Sequence, residues 1–304
     1  MATISVAVPG RHGRRRRQLA AGLALLPSAI IVLVVYLGCM LWTVRLSFSS
    51  SQLLPKLDWI GLQQYHRLFA NDRFLISIQN IALFGVLFIV GALVLGFLLA
   101  VFIDQQVRGE GLFRTIFLYP YAMSFIVTGL VWQWFLNPGL GLQKLVRDLG
   151  FASFTFDWLV NQDRVIYTLV IAGLWQASGL VMAILLAGLR GIDADLWKAA
   201  RIDGIPTWRV YVSIVLPLLG PMIVTASVLL AAAVAKLYDL VVAMTRGGPG
   251  ISSEVPAKFV MDHLFERNNI GLATAAASVM LVTVVALLGP WIYARYGRAG
   301  GRRA

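Results

Sequence analysis

Residues 77–103 read SIQNIALFGVLFIVGALVLGFLLAVFI, a run of 27 positions without a charged side chain. A helix needs roughly 20 mostly apolar residues to cross the hydrocarbon core of a bilayer, so this run predicts a transmembrane helix. Five other runs have the same character. The sequence therefore predicts an all-α polytopic membrane protein with six transmembrane helices, at 19–42, 77–103, 112–136, 166–189, 211–245 and 271–294.

The overall composition agrees with a chain that faces lipid. The chain has 304 residues, of which 59% are hydrophobic and 13% charged, whereas soluble domains have about one-quarter charged residues. The net charge of +12 does not indicate a nucleic-acid partner, because the basic residues cluster at the chain ends and between apolar runs. Cys39 is the single cysteine, which excludes an intrachain disulfide and a thiolate metal cluster.

Two of the apolar runs differ from a simple transmembrane span. The run at 19–42 follows four arginines, but it is too long for the apolar part of a signal peptide and no small-residue cleavage site follows it, so we expect a retained helix. The run at 211–245 is longer than one span needs. It contains Pro217 and Pro221, which should break it near the cytoplasmic end and leave its first part as an interfacial segment.

The distribution of lysine and arginine predicts the orientation. With both termini inside, 15 of the 26 basic residues lie in the tails and inner loops, 10 lie in longer outer loops, and Lys236 lies within a span. Because cytoplasmic segments carry the excess of basic residues, we expect both termini in the cytoplasm of a multi-pass protein of the cell membrane.

The inner loop at 193–212, DADLWKAARIDGIPTWRVYV, predicts two short helices. Asp193 can cap the first helix, Gly204 suits the left-handed residue that ends it, Pro206 enforces the break and Thr207 can cap the second helix. Two interpretations remain open from these residues alone. The loop is either an amphipathic connector on the membrane surface or a helix that docks into a cleft of a cytoplasmic partner.

A few polar side chains lie at bilayer depth. Lys236 and Asp239 are three positions apart on the predicted fifth span, and they either form a mutual ion pair or line a polar pathway. Gln176 on the fourth span either joins helices or contacts a solute, with Trp175 beside it able to stack on a sugar face.

Nothing in the sequence predicts chemistry on this chain. No P-loop motif occurs, so ATP must be bound by another polypeptide. The three histidines are scattered, and no metal motif or Ser–His–Asp arrangement is recognisable. We therefore predict that the chain is not an enzyme and binds neither a metal nor a cofactor.

The inner loop and several other motifs resemble a known family. Ala199-Ala200-x-x-Asp203-Gly204, followed by Trp208, Leu216-Pro217 and Pro221, resembles the EAA loop of permeases of binding-protein-dependent ABC importers. Further motifs resemble the sugar-permease branch, of the maltose and glycerol-3-phosphate type, over about 59–290. These are Trp59-Ile-Gly61-Leu62-x-x-Tyr65, Asn80, Arg114 with Pro120, Trp132 to Pro138, Ala187-Gly188-Leu189, Asp239, Thr245-Arg-Gly-Gly-Pro249 and Gly271-Leu-Ala273.

The resemblance implies an ABC type I importer transmembrane domain at 76–291, with the EAA loop at 193–212. A cytoplasmic basic tail at 1–18, a helix and outer loop at 19–75 and a second basic tail at 292–304 would flank it. It implies four partners: a second permease subunit, two cytoplasmic subunits that bind ATP and magnesium, and an external solute-binding protein. The coupling residues would be Trp197, Lys198, Ala199, Ala200, Arg201, Asp203 and Gly204. Lys198 replaces the family's usual glutamate, so this position offers a partner a cation in place of the carboxylate.

The resemblance also implies that the spans flanking the EAA loop line the pathway for a sugar or sugar-like solute. The candidate pathway residues are Gln176, Ala177, Leu180, Leu230, Ala233, Val234, Lys236, Leu237 and Asp239. Two other classes of protein are considered, a secondary transporter that couples ions through Lys236 and Asp239 and a membrane scaffold without a transport role. The absence of a visible inverted repeat disfavours the first. The identity of the solute stays open.

Overall fold

The computed structural model describes residues 22–105 and 107–300, with the side chains of 288 and 290–300 left out of the description. The predicted tail at 1–18 lies outside the described residues, as do residues 301–304 of the second tail. All regular structure in the described part is helical, as predicted. The helices are α1 Gly22–Leu46, α2 Gln63–Phe69, α3 Asp72–Asp104, α4 Glu110–Ala122, α5 Phe125–Phe135, α6 Leu142–Asp148, α7 Val165–Leu189, α8 Ala194–Ile202, α9 Thr207–Leu218, α10 Gly220–Ala235, α11 Asp239–Met244, α12 Pro256–Met261 and α13 Ile270–Gly300. A short π-helical segment, Asp262–Glu266, directly follows α12.

Four described helices, α1, α3, α7 and α13, are long and apolar enough to cross a membrane unbroken. Two bent pairs bring the number of spans to six if each pair is one span. The helices α9 and α10 meet at 69°, and the break falls at Leu219 between Pro217 and Pro221, where the prolines predicted it. The pair α4 and α5 meets at 101°.

The bend between α4 and α5 corrects the prediction of one continuous third span. Met123 and Ser124 are extended, and the Ser124 hydroxyl accepts a hydrogen bond from the Val127 amide at 3.3 Å, so Ser124 starts a new helix. Pro120 in the last turn of α4 has no amide hydrogen to donate. The proline and the serine cap were both present in the sequence, but the uniform hydropathy of 112–136 obscured them.

The largest helix–helix contact joins α3 to α7, and α4 and α10 pack beside them. Small residues permit the close approach of the helices, as is usual in membranes. A Cβ atom added to Gly96 of α3 would lie 2.5 Å from the Val181 side chain of α7. On the opposite side of α7, a Cβ atom added to Gly179 would lie 1.9 Å from the Phe117 carbonyl oxygen of α4.

A second, smaller core lies where α2, the start of α3, α12 and the start of α13 meet. Leu68, Phe74, Phe259 and Leu272 are buried there. The first helix contacts α13 through its last residues, and its apolar side chains from Leu23 to Trp42 are otherwise exposed. Such a surface suits lipid or another membrane helix, which is where we expect α1 to lie.

Candidate coupling loop and translocation pathway

The inner loop forms the predicted pair of short helices, α8 and α9. The Asp193 carboxylate accepts a hydrogen bond from the Asp195 amide at 2.9 Å, which confirms the predicted cap. Gly204 ends the helix with a φ of +67°, the left-handed conformation that favours glycine. The predicted cap at Thr207 is wrong. Pro206 occupies the cap position, and no side chain caps α9 there.

One face of α8 is packed against the rest of the chain. Ala200 is buried at 4% exposure and belongs to the main core. The Trp197 ring contacts the Tyr211 ring with centroids 5.4 Å apart, and Tyr211 in turn contacts Phe97 of α3. Of the two alanines expected among the coupling residues, Ala200 is therefore buried against its own chain, and only Ala199 lies on the exposed face.

The other face of α8 is uncovered. Lys198, Ala199, Arg201 and Asp203 are exposed, and Ile202 is 85% exposed. The Lys198 ammonium lies 2.8 Å from the Asp195 carboxylate on the same helix, so both charges are paired within the exposed face. The exposed face of α8 therefore combines one apolar side chain, Ile202, with charged neighbours, while the opposite face is packed against the bundle. Such a face can bind another protein.

The structure divides the candidate pathway residues into two groups. Four of them, Gln176, Ala177, Leu230 and Leu237, are buried within the chain, so they face no open surface in this conformation. Leu180, Ala233 and Val234 are partly exposed, and Lys236 and Asp239 are exposed. Val234 packs toward α3, where it lies 3.2 Å from a Cβ atom added to Gly85.

Of the two alternatives for Lys236 and Asp239, the mutual ion pair is not formed among the described residues. The helix α10 ends at Ala235, residues 236–238 form a turn, and Asp239 begins α11. The two side chains are not joined by an ion pair or a hydrogen bond in the described part of the chain. The break removes the helical face that would have brought them together, so each charge is free to meet solvent or a solute.

Gln176 has a structural contact that the sequence did not reveal. Its Nε2 atom donates a hydrogen bond to the Met123 carbonyl oxygen at 2.7 Å, across the bend between α4 and α5. A broken helix leaves carbonyl groups without partners, and in a membrane such groups need an internal donor. The Gln176 Oε1 and Trp132 Nε1 atoms are buried and have no hydrogen-bond partner in the described part of the chain. The Trp132 and Trp175 rings are in contact, with centroids 5.9 Å apart.

An ionic network at the opposite end of the bundle was missed by sequence reasoning. Arg73 of α3 donates to Glu254 at 2.8 Å and also contacts Asp262, while Lys258 lies 2.6 Å from Asp262. Asn80 donates to the carbonyl oxygens of Ser252 and Glu254. The segment between α11 and α13 is thereby held against α3.

The pKa values of the two carboxylates in this network, Glu254 and Asp262, are shifted in opposite directions. Burial raises the pKa of Glu254, and the Arg73 and Lys258 cations only partly oppose that effect. Burial alone would also raise the pKa of Asp262, but hydrogen bonds from Lys258 and Arg73 outweigh it and lower the pKa below its ordinary value. The sequence signal was the spacing of Glu254, Lys258 and Asp262 by four residues, which would place them on one face of a continuous helix. In the structure the helix begins at Pro256, so Glu254 precedes it.

Among the described residues, no group of three His, Cys, Asp or Glu side chains could hold a metal ion.

Comparisons with known proteins agree with the helical architecture. Residues 92–298 match the family described as "Binding-protein-dependent transport system inner membrane component". A probable ABC transporter permease of Pyrococcus horikoshii is 34% identical over 90% of this chain and 94% of its own length. The xylose/arabinose import permease protein XacH of Haloferax volcanii is 30% identical over 90% of this chain and 87% of its own length.

A solved structure has the same fold. It is a bacterial ABC transporter involved in the import of the acidic polysaccharide alginate, with a TM-score of 0.77 and 21% identity over 94% of this chain and 99% of that one. The chain therefore belongs to the inner membrane components of binding-protein-dependent transport systems. It is a permease subunit of an ABC importer and not an enzyme.

Proposed function

We propose that this permease forms, with a second permease subunit, the alternating-access pathway for a sugar or sugar-like solute that an external binding protein delivers. Two cytoplasmic subunits that hydrolyse magnesium-bound ATP dock on the loop at 193–212 and drive the pathway open. The support for the solute class is the naming of relatives, which include the xylose/arabinose permease and a trehalose/maltose permease of Thermococcus litoralis.

The observation that carries the docking proposal is the two-sided helix α8. Trp197 and Ala200 fix the helix to the bundle, and Ile202 stands outward at 85% exposure. An apolar side chain of that size is well placed to fill a cleft on a partner, while the fixed face transmits the force. Gly204 then sets the direction in which the chain leaves the contact.

The direct test is retention of the ATPase subunits during purification. Ile202→Asp should release them, because it places a charge in the contact that the proposal makes apolar. Leu149→Asp is the matched control, since Leu149 is also an exposed aliphatic residue but lies in the loop between α6 and α7, away from α8. Equal ATPase retention in both variants would refute docking on α8.

Two further measurements address coupling and orientation. Gly204→Pro cannot adopt the positive φ of this position, so it should leave the complex inserted and stop uptake; wild-type uptake would contradict the role of the helix stop. The distribution of basic residues predicts a cytoplasmic C-terminus. A reporter that works only in the cytoplasm should therefore be active when it is fused after Ala304, and a reporter that works only outside the cell should be inactive there.

The pathway lining is proposed to include the exposed Lys236 and Asp239 and the exposed edge of Trp175. Uptake of labelled xylose, maltose and glycerol 3-phosphate by Lys236→Met with Asp239→Asn tests this, normalised to the assembled complex. Because these two charges are unpaired with each other, the double variant should fold and lose uptake. Normal uptake of every imported solute would remove both residues from the lining.

A further inference from the structure

Arg190 joins the cytoplasmic ends of three helices. It directly follows the last residue of α7, and its Nη2 atom lies 2.8 Å from the Glu110 carboxylate at the start of α4. Its Nε atom lies 3.8 Å from the Asp104 carboxylate at the end of α3. These side chains line a cavity of about 510 Å³ together with Val107. One guanidinium thus connects α3, α4 and α7.

Arg190 compensates for an unfavourable charge at a helix end. Glu110 lies at the positive end of α4, which favours a carboxylate, whereas Asp104 lies at the negative end of α3, which disfavours one. Arg190 offsets this unfavourable position and also suits the negative end of α7. Arg114 contacts the same Glu110 oxygen at 3.4 Å, but it lies on α4 itself and joins no second helix.

The connection from Arg190 to α8 is short and hydrogen-bonded. The Gly191 amide donates to the Gly188 carbonyl at 3.1 Å, and the Ile192 amide donates to the Leu189 carbonyl at 3.2 Å. Asp193 then caps α8. A displacement of α8 therefore reaches Arg190 through a turn with little freedom to absorb it.

We infer that Arg190 is a positioning residue that makes α8 and the cytoplasmic ends of α3 and α4 move as one body. This inference rests on the proposed docking of ATPases at α8. The aromatic contact from Trp197 through Tyr211 to Phe97 supplies a second connection to α3. Without the Arg190 contacts, the motion of α8 reaches the end of α7 but is not passed on to the ends of α3 and α4, and ATP is hydrolysed without transport.

The ion pair between Arg190 and Glu110 is partly exposed, so it can be removed without unfolding the protein. The side chain of Arg190 is 40% exposed and that of Glu110 26% exposed, and such pairs contribute little to folding. Arg190→Gln and Glu110→Gln should therefore assemble normally with the ATPases. In proteoliposomes that contain the full complex and its binding protein, the ATP hydrolysed per labelled solute imported should rise by about fivefold or more, the lower end of typical coupling between sites.

Three variants make the result specific. Arg114→Gln removes a cation from the same carboxylate without disconnecting helices, so its ratio of ATP to solute should match the wild type. Arg190→Lys keeps the charge and should restore most of the coupling. The double variant Arg190→Gln with Glu110→Gln should be no worse than Arg190→Gln alone, because that substitution already removes the contact with Glu110. Labelled xylose, maltose or glycerol 3-phosphate serves as the solute, whichever the wild-type complex imports.

A distance measurement tests the rigid body without any solute. Spin labels at Asp195→Cys and Arg108→Cys, in a chain with Cys39→Ser, report the separation of α8 from the loop before α4. This separation should stay constant when ATP and vanadate are added to the wild-type complex, and it should change in the Arg190→Gln background. A constant separation in both, or a wild-type ratio of ATP to solute in Arg190→Gln and Glu110→Gln, would overturn the inference.

The failure of the docking proposal gives a different result. It appears as full ATPase retention in Ile202→Asp, whatever the behaviour of Arg190. If Arg190→Gln and Glu110→Gln both fail to assemble while Arg114→Gln assembles, the cluster is structural and the inferred positioning role is wrong.

Discussion

Replacing Gly179 by alanine should force α4 and α7 apart. The added Cβ atom would lie 1.9 Å from the Phe117 carbonyl oxygen and 2.7 Å from its carbonyl carbon. Both are backbone atoms, so no side-chain rotation relieves the contact. Since such atoms essentially never approach within 3.0 Å, the helices must separate by at least about 1 Å in an interior that is packed to crystal-like density.

The expected cost follows from overpacking. Added methyl groups in packed cores cost about 1–3 kcal/mol and occasionally more, and the backbone obstacle places Gly179→Ala near the upper end. At roughly 2–4 °C per kcal/mol for chains of comparable size, Tm should fall by about 6–12 °C. The separation also moves Gln176, three residues earlier on α7, away from the Met123 carbonyl that it now contacts at 2.7 Å, so uptake should fall as well.

The assay is the fraction of purified complex that stays monodisperse after heating in detergent. Gly111→Ala is the matched control, because Gly111 lies on α4, the helix that faces Gly179, and an added Cβ atom there meets nothing within 4 Å. Alanine is the better helix former by about 1 kcal/mol, so the control should be neutral or slightly stabilised. If the two variants show the same heat stability, the close packing of α4 on α7 is refuted.

Three other changes have defined outcomes. Gln176→Leu leaves the Met123 carbonyl without its donor, so heat stability should fall by about 1–3 kcal/mol; an unchanged melting profile would contradict the capping role. Arg73→Met leaves Glu254 and Asp262 buried with only Lys258, which should cost about 3–5 kcal/mol and lower the folded yield, whereas Arg73→Met combined with Glu254→Gln should recover much of it. Burial lowers the pKa of His263 below its ordinary 6.5, so the neutral ring is favoured by folding, and its contribution is complete above pH 6.5 and lost as the pH falls through the lowered value. His263→Gln should therefore flatten the loss of stability on acidification, as seen in melting curves recorded from neutral to acidic pH, and an unaltered slope would show that other groups control it.

Local sequence signals predicted the helices well. The apolar runs located the membrane helices, the two prolines located the break at Leu219, and Gly204 and Asp193 marked the ends of α8. Each of these depends on residues that are neighbours in the chain. The failure at Met123 is of the same local kind, because Pro120 and Ser124 were readable but were outweighed by hydropathy.

The sequence by itself therefore determined which segments are helical and apolar, and where the inner loop turns. Only the tertiary structure decided which way the side chains face and which charges meet. Ala200 is buried because the contact between Trp197 and Tyr211 anchors its helix. Arg73 forms an ion pair with Glu254, which lies 181 positions away in the chain. Lys236 and Asp239, three positions apart, were separated by a turn. Helix formation depends on adjacent residues, whereas orientation and ion pairing depend on contacts that exist only after distant segments have packed.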